Sequence, residues 1–141
     1  MTRPCTLHRV LIVDDAPDIL NMLATTLRHK GYEVSAVERG LDAVIQFMES
    51  IKEGRCFDVL VLDCALPQMD GFSVAEHIRL TESQGVTDCH PWIAAYTAYS
   101  KTVEKTTLIE KAGIDAYFVK GEDEGKLVEQ IANWLSEVKT L

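Results

Sequence analysis

The chain has 141 residues, 47% hydrophobic and 26% charged, a composition that fits one globular domain with a single core. Its 22 acids against 14 bases leave a net charge of −8, which argues against direct nucleic-acid binding, since that needs basic groups on phosphates. No apolar run reaches the length of a membrane span and Met1 to His8 lacks the apolar centre of a signal peptide, so a cytoplasmic location is expected. In chain order, "RVLIVDD" (9–15) reads as a buried strand ending in acids, and Pro17 suits the first turn of the helix that follows. There Leu20, Leu23 and Leu27 recur at helical spacing before a stop at Lys30-Gly31. "YEVSAV" (32–37) is strand-like, and residues 41–54 place Val44, Phe47, Met48 and Ile51 on one helical face. "DVLVLD" (58–63) is a third strand, and Phe72, Ala75 and Ile78 mark a short helix over 71–82. A polar loop (81–91) leads to "WIAAYT" (92–97), a fourth strand. Residues 101–112 form a weakly amphipathic helix whose large apolar residues are Val103, Leu108 and Ile109, and Gly113 ends it. "AYFVK" (116–120) is a fifth strand, and a last helix from about Asp123 turns Leu127, Ile131, Trp134, Leu135 and Val138 inward.

Alternation of five strands with five helices predicts an α/β, doubly wound parallel sheet, because strands covered on both faces read as continuous apolar runs. Ligands of such sheets collect at the carboxyl ends of the strands. Those ends carry Asp14 and Asp15, Asp63, Thr97 and Lys120. Each has an ordinary reading by itself, such as a helix cap or a solvated lysine. Their coincidence on one sheet edge does not. Carboxylates about 4 Å apart repel by roughly 4 kcal/mol at an effective dielectric near 20, so three together call for cations. Lys120 supplies one charge, and hard oxygen ligands suit Mg²⁺, with Mn²⁺ as the alternative. The arrangement points to Mg²⁺-dependent phosphoryl chemistry on a carboxylate. The cysteines Cys5, Cys56, Cys64 and Cys89 have no metal-ligand spacing and are expected as free thiols in a reducing compartment. His8, His29, His77 and His90 are scattered and receive no role.

The segments "LIVDD", "VLDCALPQMDG", "IAAYTA" and "GIDAYFVK", in this order, make the chain resemble a response-regulator receiver domain of two-component systems, from Arg9 to about Val138. The resemblance implies a flavodoxin-like sheet of order 2-1-3-4-5, one domain over residues 1–141 (core about 9–138), and no output domain. It implies that Asp63 is the phospho-acceptor and forms an acyl phosphate. Asp14 and Asp15 would position the metal with Asp63 and the Ala65 backbone carbonyl. Lys120 would pair with Asp63 and then with the phosphoryl group. Thr97 would hydrogen-bond a phosphoryl oxygen and draw its loop inward, and Tyr117 would be the aromatic switch that repacks with it. Asp70 is expected to cap the third helix or support its loop, Gly71 to permit the turn, and Pro67 to set the loop backbone.

The implied function is a phosphorylation-activated switch of a phosphorelay, taking its phosphoryl group from a histidine kinase or histidine phosphotransfer protein. It would not be a conventional enzyme, catalysing only its own aspartyl phosphorylation and slow dephosphorylation. A downstream protein, or a second copy in a homodimer, would meet the face of helix 4, strand 5 and helix 5. The chain would be a stand-alone regulator or the receiver of a hybrid kinase, towards which the loop 81–91 leans by analogy. Gly121 departs from the family, which usually places proline there, often after a cis bond. A cis bond before a non-proline residue costs about 3 kcal/mol, so a different or looser loop is expected, with Lys120 still reaching Asp63. Ala65 and Tyr99 stand where the family's hydrolytic water passes and hold water poorly, which predicts slow self-dephosphorylation. The weak face of 101–112 marks a loosely held helix or a partner surface. The alternative function is a phosphorylation-independent binding module, with a metal-dependent phosphohydrolase ranked last.

Overall fold

Aliphatic runs form the strands β1 (Arg9–Val13), β2 (Glu33–Val37), β3 (Val59–Leu62), β4 (Trp92–Thr97) and β5 (Ala116–Val119). Between and after them lie the helices α1 (Pro17–His29), α2 (Gly40–Glu53), α3 (Gly71–Ser83), α4 (Val103–Ala112) and α5 (Glu124–Lys139). These come from a computed structural model that describes residues 7–99 and 102–139, without the side chains of Val103, Val138 and Lys139. The expectations for Cys5, Lys101, Val103 and Val138 fall outside that description.

Every neighbouring pair of strands is parallel, in the order β2-β1-β3-β4-β5. Residues of β1, β3 and β4 are buried almost throughout because helices cover both faces of the sheet, whereas β2 and β5 are half-exposed edges. On one face Leu20, Leu23 and Leu27 of α1 pack with Leu127, Ile131 and Leu135 of α5. Trp134 is half-buried there and stacks on Trp92 at the start of β4. On the other face Phe47 of α2, Val74 and Ile78 of α3, and Ile109 and Ala112 of α4 close over Leu60, Leu62 and Ile93.

Three expectations change. The first concerns strand ends: β1 stops at Val13, β3 at Leu62 and β5 at Val119, so Asp14, Asp63 and Lys120 are the first residues beyond their ladders. Their backbone N–H groups still donate to the neighbouring strand's terminal carbonyls, Asp14 to Val37, Asp63 to Val13 and Lys120 to Thr97. The side chains are thereby released from the pleat while their positions stay fixed. The second concerns Met48, which is 40% exposed, because α2 turns Ala43, Val44, Phe47 and Ser50 to the sheet instead.

The third concerns the cysteines. Cys56 and Cys89 form a disulfide, with Cα atoms 5.4 Å apart, and so are not free thiols. Val59 pairs with Trp92 in the β3/β4 ladder, so the loops entering these two strands meet at the amino edge of the sheet. That meeting is a product of topology, and nothing in a separation of 33 residues announces it. Cys64 is the free, buried thiol among the described residues.

Candidate functional site

Asp14 and Asp63 occupy the crevice where strand order reverses, β1 running on to β2 on one side and lying against β3 on the other. The two residues are built alike. Asp14 Oδ1 accepts from the Ala16 N–H at 2.9 Å, and Asp63 Oδ1 accepts from the Ala65 N–H at 2.9 Å. Each thus closes a short side-chain turn that steers the chain away from the sheet and leaves its second oxygen directed into the crevice. Both second oxygens meet the same cation. Lys120 Nζ lies 2.7 Å from Asp14 Oδ2 and 2.9 Å from Asp63 Oδ2.

The side chains of Asp14 and Asp63 are only 2% and 4% exposed, so water screens this trio poorly. Burial pushes the Asp14 carboxyl above its ordinary pKa; its bonds to Lys120 and Ala16 draw it back, and the Asp63 charge raises it further. For Lys120, burial alone would lower the pKa, but the bonds and charges of Asp14 and Asp63 outweigh it and hold the ammonium charged. Asp15 is exposed, and one oxygen from each of Asp14, Asp15 and Asp63 falls within 4.8 Å of the others. Three hard oxygen donors at that separation fit a small divalent cation such as Mg²⁺.

Flanking residues set this geometry. A Cβ on Gly71 would lie 2.6 Å from the Asp63 carbonyl oxygen, so glycine is what allows α3 to begin against the end of β3. Asp70 caps that helix, its Oδ1 accepting from the Ser73 N–H at 2.8 Å. Between them Gln68 has φ of 67°, and the Met69 N–H donates to the Pro67 carbonyl at 2.8 Å, which makes a tight γ-turn. Thr97, fully buried at the end of β4, accepts at 3.5 Å from the Tyr99 N–H, a long bond that leaves its hydroxyl with spare capacity. Half-buried Tyr117 of β5 donates its hydroxyl to the Tyr99 carbonyl at 2.9 Å, tying its ring to the loop after Thr97. Its phenol is pushed up to about 12 by burial, with the nearby Cys64 and Asp63 adding to the effect.

Residues 10–132 match the family described as the response regulator receiver domain. The chain belongs to that family. This receiver domain is 36% identical over 126 residues to the sensor protein GacS of Pseudomonas syringae pv. syringae, covering 89% of its own chain and 13% of that relative. It therefore spans a small part of the length of that relative. A CheY-like response regulator receiver domain protein from Methanospirillum hungatei JF-1 superposes with a TM-score of 0.75 at 28% identity, over 95% of this chain and 98% of that one. The receiver domain of the histidine kinase CKI1 from Arabidopsis thaliana, complexed with Mg²⁺, does so with a TM-score of 0.76 at 25% identity, over 89% and 94%.

In this receiver domain the departure at Gly121 takes a definite form. The described residues contain no cis peptide bond, and Gly121 has φ of 85°, a conformation closed to proline. The loop is fastened rather than loose. Asp123 Oδ2 accepts from the Val119 N–H at 2.9 Å, and Glu124 Oε2 accepts from both the Tyr96 hydroxyl, at 2.9 Å, and the Gly121 N–H. Sequence reasoning passed over Tyr96 and Glu124. The one available signal was a tyrosine in the middle of an apolar strand, whose buried hydroxyl needs a partner. Nearby, α4 buries Ile109 and Ala112 while Leu108 stays 44% exposed, and Thr102 caps it by accepting from the Lys105 N–H at 3.2 Å. Its thin apolar side therefore belongs to a helix that is capped and anchored at two points.

Proposed function

We propose that this receiver domain is a phosphorylation-activated switch in which Asp63 takes a phosphoryl group from a phosphohistidine of a histidine kinase or histidine phosphotransfer protein. The observation that carries the reading is the Asp14–Lys120–Asp63 bridge beside Asp15. An Asp63 oxygen attacks phosphorus as the P–N bond breaks, and the departing imidazole keeps that electron pair. Asp14, Asp15, Asp63 and the Ala65 carbonyl would hold Mg²⁺, or Mn²⁺ in its place, which would supply charge neutralisation at the phosphoryl oxygens. Lys120 moves from carboxylate to phosphoryl oxygen, and Thr97 donates its hydroxyl to another. As Thr97 is drawn in, the Tyr99 carbonyl moves and Tyr117 must re-form or lose its bond. That couples the site to α4, β5 and α5, the surface for a downstream protein or a second copy. The chain does this by itself or as the receiver of a longer hybrid kinase.

We place the protein in the cytoplasm, where phosphohistidine donors act; no helix among the described residues is long and apolar enough to cross a membrane. The aspartyl phosphate should be long-lived, with Tyr99→Ala shortening its lifetime several-fold in a decay series followed by intact mass. Gly121 keeps a phosphorylation-independent binding module as the alternative, but Lys120 reaches both carboxylates all the same. The deciding experiment is incubation with Mg²⁺ and a small acyl-phosphate donor, then intact mass. One added phosphoryl group on the parent and none on Asp63→Ala is expected. No addition to the parent, with Mg²⁺ bound normally, would instead establish the binding module.

A further inference from the structure

Lysine has four rotatable bonds, and a glycine after it removes backbone restraint just where the side chain must be aimed. Lys120 nonetheless sits between two nearly buried carboxylates. Its peptide is fixed on both sides. On the strand side the Lys120 N–H donates to the Thr97 carbonyl at 2.8 Å. On the loop side the next N–H, that of Gly121, donates to Glu124 Oε2, the same oxygen that takes the Tyr96 hydroxyl at 2.9 Å. Tyr96 is 1% exposed and immediately precedes Thr97 in β4, so it is among the best-anchored groups in the molecule. Its ring also lies beneath the Lys120 ammonium, with Nζ 5.9 Å from the ring centroid, at the outer limit of a cation–π contact.

We infer that Tyr96 and Glu124 form a strap that positions Lys120, doing for this chain what a rigid residue after the lysine would otherwise do. Glu124 is a positioning residue: it touches neither carboxylate of the site, and it acts through the Gly121 N–H on the peptide that carries Lys120. The tyrosine hydroxyl orients the carboxylate, and the carboxylate orients the loop. Accepting from both donors also holds the Glu124 carboxyl below its ordinary pKa, the Tyr96 bond contributing most. Glutamine in its place keeps an acceptor oxygen for both donors, and alanine keeps none. As the aim of Lys120 matters through phosphoryl transfer, the kinetic consequence rests on the function proposed for Asp63, whereas the positional consequence does not.

Two readouts separate these. The first is the rate of phosphoryl uptake from a small acyl-phosphate donor at saturating Mg²⁺. Glu124→Ala is expected to slow it by about 10- to 100-fold, the range lost when a supporting group lets a reacting one drift by about 1 Å. Glu124→Gln should restore most of the rate, and the Tyr96→Phe/Glu124→Ala double variant should be no slower than Glu124→Ala alone. The second is acylation of the Lys120 ε-amine by an amine-reactive ester, followed by peptide mass. Lys120 should be protected in the parent and in Glu124→Gln, and labelled several-fold faster in Glu124→Ala. A structural role alone would lower stability of the alanine variant without this selectivity, so labelling of Lys126 serves as the internal reference. Unchanged Lys120 labelling in Glu124→Ala, or failure of glutamine to rescue it, overturns the inference. If the parent takes up no phosphoryl group, the function proposed for Asp63 fails, and the labelling result still decides the strap.

Discussion

Lys120→Ala should cut the rate of phosphoryl uptake by about 10²- to 10³-fold, the loss usual when one charged donor to a reacting oxygen is removed. The same change should tighten Mg²⁺ binding, because it deletes the cation that competes for Asp14 and Asp63. Stability should respond in a way that depends on the metal. Asp14 and Asp63 would lose their shared counter-charge at 2% and 4% exposure, and stripping one member from a buried ion pair costs about 3–5 kcal/mol. Lys120 itself is 16% exposed, so water can enter where it stood and the low end of that range is expected. Urea unfolding in chelator should show this deficit, and unfolding in saturating Mg²⁺ should recover much of it. Equal deficits with and without Mg²⁺ would mean that the carboxylates do not share a cation site. Unaltered uptake would mean that Lys120 is a structural counter-ion only.

The features that sequence reading captured are those in which one residue type has few alternatives. Trp92–Thr97 was bounded correctly because an apolar run after Pro91 has only one way to be buried on both sides. The site was legible for a related reason: parallel strands send all their carboxyl ends to one edge, so Asp14, Asp63 and Lys120 had to converge once the sheet was recognised. What escaped depends on contacts between residues far apart in the chain. Met48 lies at the margin of an apolar stripe, and whether it faces the sheet depends on the close approach that Ala43 and Ser50 allow. The reach of Glu124 back to Tyr96 across 28 residues depends on the tight turn that Gly121 makes, and glycine announces freedom rather than any particular use of it. The end of β1 at Val13 was missed by two residues because an apolar-to-acid transition does not say whether the acids remain in the ladder.

Opening the Cys56–Cys89 bond should destabilise the protein by up to about 3–4 kcal/mol, the chain-entropy value for closing a loop of 33 residues. Urea unfolding of the parent with and without reductant, beside Cys56→Ser, measures it. The reduced parent and the serine variant should agree, since the contribution comes from the cross-link and Cys56 is exposed. Phosphoryl uptake should be unchanged. The bond joins the loops that enter β3 and β4, whereas Asp63 and Thr97 lie at the opposite ends of those strands, with the buried β3 and β4 residues between them. A reduced protein as stable as the oxidised one would show that the loops are already held by packing around Phe57 and Ile93. A reduced protein with slower uptake would mean that strain at the amino edge reaches the acids. Either result bears on location, because a reducing cytoplasm keeps such a pair as two thiols unless the bond is strongly favoured. The working protein there would then be the reduced form, and its stability, not that of the cross-linked chain, is the quantity on which the switch proposed for Asp63 would depend.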